Sequence, residues 1–484
     1  MGGREKLLPL KWEPAEAAFK WSTGLRRALH RLSQGAAVRT GLALADFISQ
    51  VADQDTDFQS ADGVAFYFDG CLEPQEKALF FDKTLPRMAD LALRLPELLA
   101  EQSEQTRSMA GELKDSDDER VLLPLSLRIL CSQQPGLILM SQELAASLLS
   151  CAFLCLFPVA RRDEHQLPAI NMDTMFEALR LRPSQAQKVH CLVNYFNRVC
   201  EFMPEGTISY ERKVLSRGDK VMQPGFWGRN HGGLCSFEVV EDGKIEDVGW
   251  EYAQVDFANK FLGGGVLRLG CLQEEIRFML SPELIVGMLF LPAMAENEVI
   301  EIIGSERFSN YSGYGGSFRY AGNFVDSTSK DSWGRRCTKI IAMDAVEWPG
   351  ESQFQEKLLL REVCKAYCGF LSTEKVPSIC EGAEKRREYE GIATGNWGCG
   401  AFGGDLSIKS MLQWIAASEA GWSTVKYYTF RDKKAERLHE AVRHIVENKY
   451  DMGQLWSALV SYGKLRGSLD KSCDFFSWLV KTSL

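Results

Sequence analysis

The tripeptide Pro204-Glu205-Gly206 divides the chain into two textures, and any fold must accommodate both. Before it, apolar residues recur at helical spacing. In Asp82–Gln102 the residues Leu91, Leu93, Leu95, Leu98 and Leu99 are interleaved with charges. In Arg182–Phe202 the residues Val189, Val193, Phe196 and Cys200 make an apolar face. Long strand runs are absent, and the acid-rich stretch Arg107–Arg120 reads as an exposed loop. After the tripeptide glycine becomes frequent and short β-branched or aromatic runs appear: Ser236–Glu241, Tyr252–Phe257, Val299–Ile303, Lys339–Met343 and Val425–Phe430. Helical patterns at Glu274–Phe290, Glu356–Phe370 and Leu406–Glu419 lie between them. Ser281-Pro282 is expected to restart the first, since serine suits an N-cap and proline the first turn. Strands alternating with helices predict an α/β domain with a mixed or largely parallel sheet. The expected organisation is a helical accessory domain over residues 1–204 and an α/β domain over 205–484.

Composition narrows the function classes. At 484 residues the chain exceeds one ordinary core, and 45% hydrophobic with 25% charged residues is the balance of a folded chain. With 56 basic against 65 acidic residues the net charge is −9, so an anionic ligand must be held by a local site instead of a general basic surface. The 14 cysteines form no disulfide framework, and Met1–Pro14 carries no secretory signal, which points to reduced thiols in an intracellular compartment. No cysteine pair has zinc spacing, and the 6 histidines do not cluster, so no metal is expected. The most apolar stretch, Leu144–Ala160, is short of the ~20 residues a membrane span needs and is read as a buried helix. Lys385-Arg386-Arg387 reads as solvated surface.

Three segments could carry chemistry. Val255–Phe278 runs from a strand through Gly263-Gly264-Gly265 to a helix opening at Gln273-Glu274-Glu275. Consecutive glycines let backbone amides approach a phosphate. Adjacent helical residues diverge by about 100°, so one carboxylate can do acid/base work while the other orients; alternatively both merely favour the helix N-terminus. Ala393–Ala417 runs from a glycine-rich loop into an amphipathic helix, the geometry that offers donors and a dipole to a diphosphate. Gly398–Gly403 spells GxGxxG, with Asp432 where a dinucleotide fold keeps its ribose acid. The dehydrogenase reading is set aside because only about 50 residues follow Asp432, too few for the rest of a doubly wound sheet. The third segment is aromatic: Tyr311, Tyr314, Phe318 and Tyr320, with Phe402 and Phe430, suggest a mobile loop closing over a flat ring, against a plain core role for each one.

Taken together these segments resemble the poly(ADP-ribose) glycohydrolases. The glycine triplet followed after seven residues by Gln273-Glu274-Glu275 is similar to that family's catalytic signature, and VDFAN, TGNWGCGAFGGD and the Tyr314 loop follow in the family's order. The similarity is strong over Glu205–Phe430 and looser before it; the last 50 or so residues carry little signal. The resemblance implies a macrodomain-like mixed sheet flanked by helices, with a mainly α-helical N-terminal accessory domain. It implies exo-acting hydrolysis of the ribose–ribose O-glycosidic bond of poly(ADP-ribose), releasing ADP-ribose, with no cofactor. By motif position, Glu275 is the general acid/base, and Glu274 and Asp256 are the supporting acids. Asn259 contacts the distal ribose, with Gln273 nearby. Ile245 and Glu246 recognise adenine, while Tyr314 and Phe430 close over the ligand. Asn396, Trp397, Gly398, Cys399, Gly400 and Ala401 line the diphosphate beside the triplet Gly263, Gly264 and Gly265, and Phe402 orients the reacting ribose. One departure is Val266-Leu267-Arg268-Leu269, bulkier than the small residues expected there; Arg268 either alters the approach to the site or faces solvent.

Glycosidic cleavage develops oxocarbenium character, and the usual glycosidase places carboxylates on opposite faces of the sugar. Neighbouring glutamates do not fit that plan, so no covalent intermediate through Glu274 is expected. A helix N-terminus favours carboxylate, whereas a general acid must hold its proton; the charge of Asp256 and of the substrate phosphates is expected to tip Glu275 towards protonation. The expected partners are poly(ADP-ribose), its ADP-ribose product and poly(ADP-ribosyl)ated proteins. No membrane and no direct sequence-specific nucleic-acid binding are expected, and the chain is expected to act as a monomer in the nucleus, the cytoplasm or both. The alternatives are a non-catalytic ADP-ribose reader, in which the acid pair is dispensable, and a hydrolase of small ADP-ribose compounds or of mono-ADP-ribosylated protein.

Overall fold

The computed structural model describes residues 20–482 apart from 36–37, 53–57, 59, 115–123, 126, 160–161, 224, 373–388 and 471–472. The amino-terminal segment and the basic run at 385–387 lie outside the described residues. A nine-stranded sheet crosses the molecule. Its strands are β1 (Pro124–Leu125), β2 (Gly136–Ser141), β3 (Thr207–Val214), β4 (Ser236–Val240), β5 (Tyr252–Asp256), β6 (Glu298–Gly304), β9 (Arg336–Ala342), β10 (Gly391–Gly395) and β11 (Thr424–Tyr428). A separate hairpin is formed by β7 (Ser309–Ser312) and β8 (Arg319–Asn323). The sheet order is β1-β2-β3-β6-β9-β5-β10-β11-β4. The run β9-β5-β10-β11-β4 is parallel throughout, while β2, β3, β6 and β9 pair antiparallel in turn.

Side chains alternate across each strand, so the sheet separates two cores. On β6 the side chains of Ile300 and Ile302 join one core and Val299 the other; on β9 Ile340 and Ala342 oppose Ile341. The first core takes in the N-terminal helices, including Gln142–Phe153, buried at every residue but Glu143, and Pro183–Glu201. The second is covered by helices Glu356–Phe370, Leu406–Glu419 and Met452–Leu465. The C-terminal stretch, which says little as sequence, therefore supplies Leu455, Trp456, Tyr462 and Phe475 to that core.

The five strands read from the sequence are present, each within a few residues of its expected limits, and the helices Glu356–Phe370 and Leu406–Glu419 have the expected limits. Three expectations need correction. Arg107–Arg120 is not a loop throughout, because the helix Leu95–Lys114 continues into it; residues 115–120 lie outside the described part. The first half of the chain contributes β1 and β2 to the sheet. The helical pattern Glu274–Phe290 does break at Ser281-Pro282, but into an α-helix, Gln273–Leu280, and a 3-10 segment, Pro282–Leu289, and the Ser281 hydroxyl caps nothing. Among the described residues no helix is long and apolar enough to cross a membrane.

Candidate active site

Each of the five parallel strands ends at the same edge, and the loop that follows each one lines a single cleft of about 370 Å³. β4 leads to Gly243–Glu246, β5 to Phe257–Asn259 and the glycine triplet, and β9 to Ala345. β10 leads to Asn396–Phe402, and β11 ends in Tyr428 before Phe430 and Asp432. Ligand sites outside the carboxyl ends of parallel strands are the general expectation for open α/β sheets.

Three carboxyl groups cluster where the glycine triplet meets this cleft. Glu275 is half-buried and lines it; Oε1 accepts from Gly265 N at 2.9 Å and Oε2 from Leu272 N at 2.7 Å. Glu274 is buried, accepting from Gly263 N at 2.7 Å and Asn259 N at 2.9 Å. Asp256 is 1% exposed, lies below the cleft surface, and neither of its carboxyl oxygens has a hydrogen-bond partner. Burial, the charge of Glu275 and the opposing effect of Arg277 leave the Asp256 carboxyl pushed up to about 8. Burial, with Asp256 and Glu275 adding to it, also raises Glu274. Asp256 is thus itself neutral near pH 7, so the negative charge expected of it beside Glu275 is absent.

Glycine is required where the carboxylates close in. Gly264 has φ +51°, and a Cβ there would lie 2.6 Å from Glu274 Oε2 and 2.8 Å from Glu275 Oε1. The loop is also fastened from the helical side. Thr174 Oγ1 donates to Leu267 O at 2.8 Å and Gln185 Nε2 to Leu269 O at 3.3 Å. Lys188 Nζ donates to both Arg268 O and Gly270 O at 2.7 Å. Four consecutive carbonyls of the loop that presents Glu275 are thereby held by three side chains. The bulky residues are accounted for: Val266 and Leu267 enter the core, and Arg268 faces solvent outside the cleft.

The remaining predicted residues converge here, with differences in what they present. Asp256 and Gly263 do not line the cleft, and of the aromatic group Phe318 is buried in the first core and Tyr320 packs on His190; all the others reach it. Gln273 spends its side-chain amide on the β5 terminus, accepting from Phe257 N at 2.8 Å and donating to Val255 O at 3.1 Å. Trp397 and Cys399 are buried, so their part of the loop offers backbone; Trp397 Nε1 donates to Met343 O at 2.9 Å. The helix after this loop spends two of its first amides on its own cap, because the Asp405 carboxylate accepts from Ser407 N and Ile408 N. A diphosphate would meet the loop Asn396–Ala401 instead. Tyr314 and Phe430 face each other with ring centroids 5.2 Å apart, and the Tyr314 hydroxyl accepts from Gln273 N at 3.1 Å. Glu246 accepts a hydrogen bond from the Tyr311 hydroxyl, and Lys244 Nζ lies 3.6 Å from the Tyr311 ring centroid.

Lys244, Ala345 and Tyr428 line the cleft without having been read from the sequence, and Asp432 enters only through the discarded dinucleotide pattern. Their signal is positional: each lies at, or within a few residues past, the end of a parallel strand. Among the described residues no group of three or more His, Cys, Asp or Glu is arranged to hold a metal ion.

A mixed sheet with helices on both faces, carrying an acid pair in a glycine-walled cleft at its strand ends, defines a macrodomain-type glycosidase. The family model described as "Poly (ADP-ribose) glycohydrolase (PARG), Macro domain fold" matches residues 225–437, and the helical domain of the same family matches 72–212. Poly(ADP-ribose) glycohydrolase 1 of Arabidopsis thaliana is 36% identical over 96% of this chain and 94% of its own length. Probable poly(ADP-ribose) glycohydrolase 2 of the same plant is 37% identical over 97% and 96%. Poly(ADP-ribose) glycohydrolase 1 of Caenorhabditis elegans is 32% identical over 60% of this chain and 38% of its own. The chain belongs to the poly(ADP-ribose) glycohydrolase family.

Proposed function

We propose that the protein hydrolyses the ribose–ribose O-glycosidic bond of poly(ADP-ribose) from the chain end, releasing ADP-ribose, with Glu275 as general acid and then general base. The observation that carries this reading is the division of labour in the acid pair. Both glutamates reach the cleft and each accepts from two backbone amides, but Glu274 is buried, whereas Glu275 is only half-buried and keeps an accessible edge on the cleft. Ile245 and Glu246 receive the adenine, Tyr314 and Phe430 cover it, and the loop Asn396–Ala401 holds the diphosphate. Asn259 and Phe402 set the ribose over Glu275. The Glu275 carboxyl gives its proton to the leaving 2′-oxygen as the C1″–O bond breaks, and the carboxylate then takes a proton from the water that attacks C1″. Glu274, tied down by its amides, forms no covalent intermediate. The substrate is carried on poly(ADP-ribosyl)ated proteins of the nucleus, the cytoplasm or both.

Incubation of the protein with poly(ADP-ribose), with identification of the products, tests the reading. The parent chain releases ADP-ribose, and Glu275→Gln loses turnover while binding ADP-ribose as tightly as the parent. Cleavage at the parent rate by that variant would exclude the assignment.

A further inference from the structure

We propose that Trp348 is a second base-binding site, a stacking platform outside the cleft for the adenine of the unit left behind when the terminal ADP-ribose is cut off. The inference rests on the reading of the cleft given above and extends it to the leaving side of the bond.

The strand order gives the cleft a direction. Ile245 and Glu246 follow β4 at one edge of the parallel run, and Trp348 follows β9 at the other. The turn carrying Trp348 touches both residues assigned to the reacting sugar. Trp348 N donates to Phe402 O at 2.9 Å, and the neighbouring Glu347 accepts from Asn259 Nδ2 at 3.4 Å. The indole is 75% exposed and lies over Gly403, where a Cβ would come 3.4 Å from Trp348 Cε3.

A lone exposed aromatic needs no explanation in general. This one is held at φ 50°, a left-handed conformation that is an outlier for a bulky residue and persists only where the surroundings enforce it. The substrate supplies the matching group. The leaving 2′-oxygen belongs to the ribose of an adenosine, so a purine hangs from the carbon next to the scissile linkage. A polymer leaving the cleft past Asn259 and Phe402 carries that purine to the rim where the indole lies. Stacking of a base on an aromatic side chain is sequence-tolerant, and its loss on alanine substitution corresponds to roughly tenfold or more in affinity.

The test compares an ADP-ribose dimer with ADP-ribose itself on Glu275→Gln, which leaves the dimer intact. The dimer is expected to bind about tenfold tighter. Adding W348A should abolish that advantage without changing the affinity for ADP-ribose, and W348F should restore most of it. An equal dimer advantage with and without the indole, or no advantage at all, overturns the proposal. On the unsubstituted background, W348A should raise the KM for polymer. If the unsubstituted protein fails to cleave polymer, the reading of the cleft fails and this site with it. If it cleaves and W348A behaves identically, only the second base site is lost.

Discussion

The three clustered carboxyls differ in burial as well as in what meets their oxygens: Glu274 and Asp256 are buried and Glu275 is not. Two amides each hold Glu274 and Glu275, while Asp256 has no donor and keeps its proton at neutral pH. That proton has a thermodynamic signature. Unfolded, an aspartate ionises near ~3.9; folded, Asp256 does so at about 8. Between these values the folded chain holds a proton that the unfolded chain has released, so this residue makes stability fall as pH rises through the window. Asp256→Asn should therefore gain in Tm relative to the parent on going from pH 5 to pH 8; a constant difference in thermal melts across that range would contradict the buried neutral acid. Gly264→Ala forces a Cβ between the two glutamates in a left-handed conformation, at a conformational cost of about 1–2 kcal/mol before any clash. Both Tm and kcat should drop, kcat by more than tenfold, and a variant with parental kcat would show that the loop yields freely.

At the scale of elements, the helix Pro183–Glu201 reaches from the first core to the loop that presents Glu275 through Gln185 and Lys188. Lys188 is fully buried, and burial holds its amine down to about 8. Lys188→Met removes two donors from the loop carbonyls beneath Glu275. We expect kcat to fall about tenfold with the KM for polymer within about twofold, since charge-assisted hydrogen bonds contribute roughly 1.5–3 kcal/mol; a loss confined to KM would mean that Lys188 acts on binding alone. Buried charge also explains why some strands were hard to read. β3 carries Glu211, Arg212 and Lys213 in succession, which hides its alternation. In the fold Arg212 pairs with Glu298, and Lys213 lies 2.8 Å from Glu301 across the β3–β6 ladder. Glu301→Ala removes the carboxylate that Lys213 and Lys339 share, leaving Lys213 only backbone carbonyls, and should cost about 3–5 kcal/mol in chemical denaturation. β10 escaped for another reason: in GIATG two glycines weaken any strand signal. The helices Glu356–Phe370 and Leu406–Glu419 were legible to their limits because their apolar periodicity spans several turns without interruption.

Across the whole molecule, the sheet is a partition between two cores, and the N-terminal helices are one of its walls. A chain begun at residue 205 lacks β1 and β2 and bares both the free edge of β3 and the first core. Such a truncation should lack a cooperative thermal transition and aggregate; a monomer with a sharp transition would mean the sheet stands without that wall. The cleft was legible because its motifs are contiguous in sequence. What sequence could not convey was which side chains turn under the surface, as Trp397 and Cys399 do, or that Ala345 and Lys244 arrive beside them, since only the strand order makes those neighbours. That order has a lasting consequence. Each wall of the cleft is rooted in its own strand, so a lineage can lengthen, shorten or re-letter one wall while the other four stay in register, and preferences for polymer length or attachment chemistry can drift without the catalytic geometry being rebuilt.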